Sequence, residues 1–157
     1  MSAEDPKGPV ILCWDGSSSA SRSIEHAARI LGQRRRAIVL FAHVPVEAHG
    51  GVVGVLTGRP SPDAPIMGAA DAEGLLEEGV RIAGEAGFEA SGLRIAADRK
   101  TAEIIVETAK EQDAMLVVMG QRGRTGLKST LLGLGSVAQQ VLGTYGGAVL
   151  LVGPTPA

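Results

Sequence analysis

The sequence predicts an α/β fold, a single domain with an open parallel sheet of five strands and helices on both faces. Short apolar runs alternate with segments of helical periodicity along the chain, which is typical of βαβ units. Apolar residues make up 45% of the 157 residues and aromatic residues only 3%, so Val, Ile, Leu and Ala must build the core. A chain of this length can bury about 70% of its unfolded surface as one domain.

The first two predicted strands are separated by a helix. Residues 9–14 form the first apolar run, and the turn at 15–19 offers several candidate N-caps for the helix that follows. Apolar residues then recur at helical spacing until Gly32 ends the helix. These residues are Ile24, Ala27, Ala28 and Leu31. Residues 37–44, almost entirely apolar, predict the second strand.

The middle of the chain predicts a long loop, a helix and a short strand. Residues 46–67 are rich in Pro and Gly and lack periodicity, so we expect a mobile loop there within an ordered domain of about 8–153. A second helix is predicted at about 69–86 and a short strand at 93–97. A third helix begins at Thr101 or nearby, where a residue of this type can cap it.

The last third of the chain predicts a strand, a glycine-rich loop, a helix and a final strand. The strands are residues 115–119 and 148–152. The helix between them has a predicted inward face. This face consists of Leu134, Val137, Ala138, Val141 and Leu142.

Three strand ends predict where a ligand would bind. Asp15 follows the first strand, Val44 ends the second and Gly120 follows the fourth. Ligands of open parallel sheets bind beyond the carboxyl ends of the strands, where the strand order reverses. The three positions converge there only if the first and fourth strands are neighbours. We therefore predict the strand order 3-2-1-4-5.

The glycine-rich loop at 119–138 has the layout of a phosphate-binding loop. Glycines let main-chain N–H groups approach an anion, and the following helix N-terminus adds unpaired donors and partial positive charge. Arg122, Arg124 and Lys128 make the loop basic in a chain of net charge −2, although the alternative for these side chains is simple solvation. The Walker A spacing fails, because Leu127 separates Gly126 from the lysine.

Several other functional classes lack support in the sequence. There is no nucleophile elbow, zinc-protease helix or C-x-x-C pair. The single cysteine, Cys13, excludes an internal disulfide and is predicted to be a small core residue. His43 is predicted to be buried, and no metal-ligand spacing links it to His26 or His49. The basic loop lacks aromatic residues, so no nucleic-acid partner is expected.

Membrane insertion and export are not expected either. No apolar run approaches the roughly 18 residues that a membrane-spanning helix needs. The first eight residues, MSAEDPKG, lack the basic and apolar regions of a secretion signal. We therefore expect a cytoplasmic protein without a membrane partner.

The sequence resembles the universal stress protein family over almost its whole length. The resemblance is carried by the opening Trp14-Asp15-Gly16-Ser17, the strand end His43-Val44, and the stretch from Ala102 to Gly120. It implies a Rossmann-like fold of the adenine-nucleotide α-hydrolase type.

The ATP-binding members of that family carry the motif G-x2-G-x9-G-[ST], which this chain matches in part. Gly120 and Gly123 match the first half. Gly133 has the expected spacing, but Leu134 follows it. A Gly-Ser pair comes two residues later, at 135–136, so we interpret the loop as two residues longer than usual.

The resemblance implies that these residues bind ATP, with or without Mg²⁺. Asp15 would contact the ribose or the adenine, and Val44 would line the adenine pocket. Met119 and Gly120 would meet the ribose and the α-phosphate. The remaining candidates form the outer phosphate cradle. They are Gly123, Gly133, Gly135, Ser136 and the N–H of Val137.

Simpler interpretations remain for two of these residues. Asp15 would serve only as a turn or N-cap residue, and Ser136 only as an N-cap.

Three hypotheses for function remain open. The first is a regulatory ATP-binding protein of the stress response, which signals through its nucleotide state and an unidentified protein partner. The second is an interaction module of the same fold that does not bind nucleotide. The third is a slow ATP hydrolase, for which Asp15 is the candidate base. We favour the first and expect no more than weak hydrolysis.

The last strand predicts a homodimer. Residues 148–152 form an apolar, uncharged edge strand, which is prone to pair with another chain, and we expect a homodimer built on residues 147–153. Two such edges can meet across a two-fold axis, and the family resemblance implies the same assembly. We expect Leu150→Pro to remove a hydrogen-bond donor from that edge.

Overall fold

The computed structural model describes residues 8–46, 63–121 and 134–153, and the structural statements below concern these ranges. They form one sheet with helices on both faces. The strands are β1 Val10–Cys13, β2 Arg36–Pro45, β3 Ile66–Met67, β4 Glu89–Ala96, β5 Leu116–Gly120 and β6 Val149–Val152. The helices are α1 Ser18–Leu31, α2 Ala69–Ala86, α3 Thr101–Glu111 and α4 Ser136–Thr144.

The five longer strands lie in the order β4-β2-β1-β5-β6, and all neighbours are parallel. This confirms the predicted order 3-2-1-4-5, because the predicted strands 3, 4 and 5 are β4, β5 and β6 of the structure. Val10 of β1 pairs with Ala37 on one side and Leu116 on the other, so β1 is central. A short additional strand, β3, pairs with the carboxyl end of β2.

The sheet separates two apolar layers, because side chains alternate along each strand. Val10, Leu12 and Trp14 face α1 and α2. Ile11, Val117 and Met119 face α3 and α4. Alternate side chains of β1 and β5 therefore contact different pairs of helices, α1 and α2 on one face of the sheet and α3 and α4 on the other.

Three predicted details differ from the structure. The strand expected at 93–97 is β4, Glu89–Ala96, which begins earlier because this edge strand carries exposed polar side chains that break the apolar pattern. Residues 63–67, within the expected loop, include β3. The prediction that Leu142 faces inward is wrong, since its side chain is 45% exposed on the outer side of α4.

The strand β3 lies directly beyond the end of β1. Neighbouring residues of a strand direct their N–H and C=O groups to opposite edges. The C=O of His43 accepts from Ala97 N–H at 2.7 Å, on the β4 edge of β2. Val44 therefore faces the β1 edge, where its N–H donates to the C=O of Pro65 at 2.7 Å. Since β1 has already ended there, β3 takes the place that a longer β1 would fill.

Among the described helices, none combines the length and the apolar character that crossing a bilayer requires.

Candidate functional site

The candidate site is the crevice beyond the carboxyl end of β1, between the ends of β2 and β5. The chain turns from β1 to one face of the sheet through α1, and from β5 to the opposite face through α4. The strand order reverses between these two strands, and an open α/β sheet offers its ligand crevice at that point.

A hydrogen-bonded turn fixes Asp15 at the rim of the crevice. Its Oδ1 accepts the N–H of Ser17 at 2.9 Å. Ser17 in turn caps α1, since its Oγ accepts the N–H of Ala20 at 3.1 Å. Between them Gly16 has a φ of +81°, and a β-carbon there would lie 3.0 Å from Leu75 Cδ1. Asp15 does form a turn, as the simpler interpretation expected, and this bond orients its half-buried carboxylate.

The opposite rim is formed where the chain leaves β5 and enters α4. Gln121 N–H donates to the C=O of Val152 at 2.9 Å, which extends the pairing of β5 with β6. The C=O of Gln121 accepts the N–H of Gly135, the N-cap of α4, at 2.8 Å. The N-terminus of α4 is thus held beside the end of β5.

The helix N-termini near this end of the sheet differ in their capping. Ser17 caps α1, and the carboxylate of Asp63 accepts the N–H of Thr101 at the start of α3 at 3.3 Å. The α2 helix has no side-chain cap, but Asp71 lies in its first turn. The α4 helix has neither a side-chain cap nor an acidic residue in its first turn.

The N-terminus of α4 is therefore the one of these four that is best suited to an anion. Gly135, rather than Ser136, occupies its N-cap position, so Ser136 is not a simple N-cap. Its side chain is exposed at the first position of the helix. A hydroxyl group there can donate to a phosphate oxygen.

Two of the predicted base and ribose contacts are deeply placed. Val44 is only 1% exposed, and its N–H already bonds to Pro65. Met119 is 5% exposed and belongs to the core on the α3 and α4 side, whereas Gly120 is half-buried. The roles of these three residues stay predictions.

The chemistry of Cys13 agrees with its predicted core role. Its thiol packs against the core on the α3 and α4 side, and burial raises its pKa to about 12, with a further contribution from the negative charge of Asp15. The thiol therefore stays protonated at neutral pH and is a poor nucleophile. The prediction that His43 is buried is confirmed, and its ring stacks on Phe41 at a centroid distance of 5.9 Å.

The structure brings together most, but not all, of the predicted site. Asp15, Met119 and Gly120 lie at adjoining strand ends, and residues 135–137 begin α4 beside them. Gly123 and Gly133 lie outside the described residues, as do the basic side chains Arg122, Arg124 and Lys128. The described residues contain no group of three or more side chains arranged to hold a metal ion.

Sequence reasoning missed the contribution of residues 63–67 to the crevice. Asp63 accepts hydrogen bonds from the N–H and the hydroxyl of Thr101, and the C=O of Pro65 accepts the N–H of Val44. The sequence offered one weak indication, the apolar pair Ile66-Met67 between Pro65 and a glycine.

Comparisons with known proteins agree with this architecture. The universal stress protein family model matches residues 8–153. The chain therefore belongs to the universal stress protein family. No protein of curated function matches the sequence.

Three solved structures are similar to this chain. A protein described as hypothetical, whose structure served to assign its biochemical function, is 19% identical, with a TM-score of 0.70 and coverage of 97% of this chain and 99% of its own. A universal stress protein in complex with cAMP is 25% identical, with a TM-score of 0.59 and coverage of 93% and 96%. The universal stress protein of Archaeoglobus fulgidus in complex with dAMP is 20% identical, with a TM-score of 0.61 and coverage of 92% and 96%.

Proposed function

We propose that this protein is an ATP-binding regulatory protein of the stress response, in which nucleotide occupancy controls a partner interaction. The observation that carries the proposal is the uncapped N-terminus of α4, held beside the end of β5, which pairs with the strand that Asp15 follows. The N-terminus of a helix can bind the phosphates of a nucleotide, and a carboxylate can accept hydrogen bonds from the hydroxyl groups of its ribose.

The proposed contacts follow from these positions. The carboxylate of Asp15 would accept hydrogen bonds from the ribose, and the main chain at Gly120 would approach the α-phosphate. Gly135, Ser136 and the N–H of Val137 would bind the outer phosphates, together with Gly123 and Gly133 of the glycine-rich loop. Mg²⁺ would accompany ATP as the phosphate counter-ion. The family membership and the relatives solved with cAMP and dAMP support an adenine nucleotide as the ligand.

We also propose that the protein works as a homodimer through residues 147–153. Among the described residues, β6 pairs with β5 alone, and its side chains Val149, Leu150 and Leu151 are half-buried. An apolar edge strand of this kind is stabilised by pairing with a second copy.

Nucleotide binding is tested by thermal unfolding and by mass spectrometry of freshly purified, denatured protein. ATP at about 100 times its Kd should stabilise the folded state by about 2.7 kcal/mol if it binds the folded form alone. For a domain of this size, the Tm should rise by about 5–10 °C. Millimolar ATP that leaves the melting curve unchanged, with no nucleotide in the denatured sample, would instead favour the interaction module that does not bind nucleotide.

A further inference from the structure

We propose that the outer edge of β4, the edge that faces away from β2, accepts an extended segment of a partner protein as an additional strand. This inference rests on the proposed function for the existence of a partner, but it requires no nucleotide in the crevice. Among the described residues β4 pairs with β2 alone, on the side of the sheet opposite β6. Its eight residues are enough for a partner segment to form several main-chain hydrogen bonds.

The hydrogen bonds between β4 and β2 show which groups face outward. Glu89 N–H donates to the C=O of Arg35 at 2.9 Å, and Ala97 N–H donates to that of His43 at 2.7 Å. Odd-numbered residues of β4 therefore direct their N–H and C=O groups to β2, because neighbouring residues of a strand alternate in direction. The even-numbered residues direct these groups to the outer edge. They are Ala90, Gly92, Arg94 and Ala96.

The one basic side chain of β4 is bound to α2. Charged side chains on an edge strand commonly oppose pairing with another chain. Arg94 Nε lies 3.3 Å from Glu73 Oε2, and its Nη1 donates to the C=O of Ala69 at 3.3 Å. These contacts hold the guanidinium toward the helix rather than across the main-chain groups of the outer edge. The N–H and C=O of Arg94 therefore stay accessible to an added strand.

One face of the sheet beside this edge is apolar and contains a cavity. Leu93 and Ile95 are half-buried and lie on the face of α3 and α4, since their register partners belong to that core layer. A cavity of about 520 Å³ opens on the same face at the start of the strand. Its lining includes Pro9, Ile38, Ser91 and Gln112. Apolar side chains of an added strand would cover Leu93 and Ile95 and enter this cavity.

The opposite face of the sheet beside this edge is acidic. The side of α2 that lies over β4 carries Glu73, which pairs with the edge strand, and Val80, whose Cγ2 would lie 3.1 Å from a β-carbon at Gly92. Glu77 follows Glu73 by one turn on this side of the helix, and its side chain is exposed. Basic side chains of an added strand would therefore meet carboxylates on this face.

The two faces together define the chemistry of the partner segment. Side chains of an added strand alternate between the faces, so the segment that fits has basic residues at every second position and apolar residues between them. A second copy of β4 fits less well. Two copies paired across a two-fold axis would bring the acidic sides of their α2 helices together, and like charges repel.

The test uses a synthetic peptide of alternating lysine and valine, as long as β4, and protein without nucleotide. Calorimetric titration compares Glu77→Gln with its matched control Glu78→Gln. Glu78 is also exposed, but it lies about 100° further around the helix. We expect Glu77→Gln to weaken peptide binding by about two- to fivefold, the effect of one exposed ion pair, and Glu78→Gln to leave it unchanged. A peptide of alternating glutamate and valine should not bind.

Hydrogen exchange then shows whether the peptide adds to the sheet. Saturation with the lysine peptide should slow exchange at the N–H of Gly92 and Arg94, whereas the N–H of Leu93 should be protected before the peptide is added. Unchanged exchange at Gly92 and Arg94, or equal binding of the glutamate peptide, would overturn the proposal. Protection of Gly92 that grows with protein concentration alone would instead make a second copy the occupant and overturn the assignment to a partner.

The same measurements keep this proposal separate from the proposed function. The peptide is titrated without nucleotide, so a protein that fails to bind ATP would still show or lack the peptide site. Failure of the peptide to bind, with ATP still raising the Tm, would overturn the edge of β4 as a docking surface and leave the nucleotide site in place.

Discussion

At the scale of single residues, Gly79 shows how packing decides what a position tolerates. It lies in α2 where the helix crosses the ring of Trp14, and a β-carbon there would come within 2.9 Å of three ring atoms. The ring is itself fixed, because Trp14 Nε1 donates to the C=O of Leu75 at 2.7 Å. Gly84 lies in the same helix, and a β-carbon at that position would have no neighbouring atom within 4 Å.

Gly79→Ala and Gly84→Ala should therefore change stability in opposite directions. Alanine at 84 should stabilise the protein by about 0.5–1 kcal/mol, the usual gain in helix propensity. Alanine at 79 should destabilise it by about 1–3 kcal/mol, since the overpacking against Trp14 outweighs that gain. Urea unfolding of both variants measures the difference, and two variants of equal stability would show that Trp14 moves freely.

A second prediction at this scale concerns the register of the phosphate loop. Gly135 is the buried N-cap of α4, and a valine there should obstruct the approach of phosphate to the first N–H groups of the helix. We expect Gly135→Val to reduce ATP affinity by at least tenfold and Gly133→Ala to have a smaller effect. Calorimetric titration gives both affinities. The reverse ranking would show that the nine-residue spacing to Gly133 is the one in use.

At the scale of elements, α3 takes its N-terminal cap from a different part of the chain. Its N-cap position is Lys100, which forms no side-chain cap, and the carboxylate of Asp63 accepts from Thr101 instead. The sequence did place the helix start at Thr101 or nearby. It could not reveal the cap, because Asp63 is 38 residues away along the chain.

Loss of this cap should have a measurable cost. Asp63→Ala should destabilise the protein by about 1 kcal/mol, the typical effect of removing a cap. Asp63→Asn keeps an acceptor oxygen and should cost clearly less. The free energy of unfolding in urea separates the two. If neither substitution changed the free energy of unfolding, the contact with Thr101 would contribute nothing to stability.

At the scale of the whole molecule, the proposed homodimer depends on the edge of β6 that faces away from β5. Val117 N–H donates to the C=O of Ala148, and Gln121 N–H donates to that of Val152, so even-numbered residues of β6 direct their polar groups toward β5. Leu150 therefore belongs to the inner ladder, and the expectation that Leu150→Pro removes a donor from the free edge is wrong. Val149 and Leu151 carry the outward donors.

The matched pair Leu151→Pro and Leu150→Pro tests the proposed homodimer. Proline at 151 removes an outward N–H and should yield a folded monomer. Proline at 150 removes an N–H within the sheet and should lower the stability of the fold itself. Light scattering and thermal unfolding report the two effects separately. A monomeric unmodified protein at micromolar concentration would contradict this assembly.

The sequence by itself determined the large-scale arrangement of this protein. Buried parallel strands are continuous apolar runs, and right-handed crossovers leave few ways to order them. The strand order was then predicted by placing Asp15, Val44 and Gly120 at one ligand crevice, where the strand order of an open parallel sheet reverses. The family also followed, because its motifs lie at the strand ends, where local sequence and position in the fold coincide.

The tertiary structure alone decided the features that depend on contacts distant in sequence. The two-residue strand β3 has no periodicity of its own and is defined by its pairing with Val44. Leu142 has an apolar side chain, yet the packing of α4 leaves it 45% exposed. Which N–H groups face outward on β6 depends on the register with β5. A single residue's chemistry cannot specify such properties, because a second segment of the chain supplies the partner.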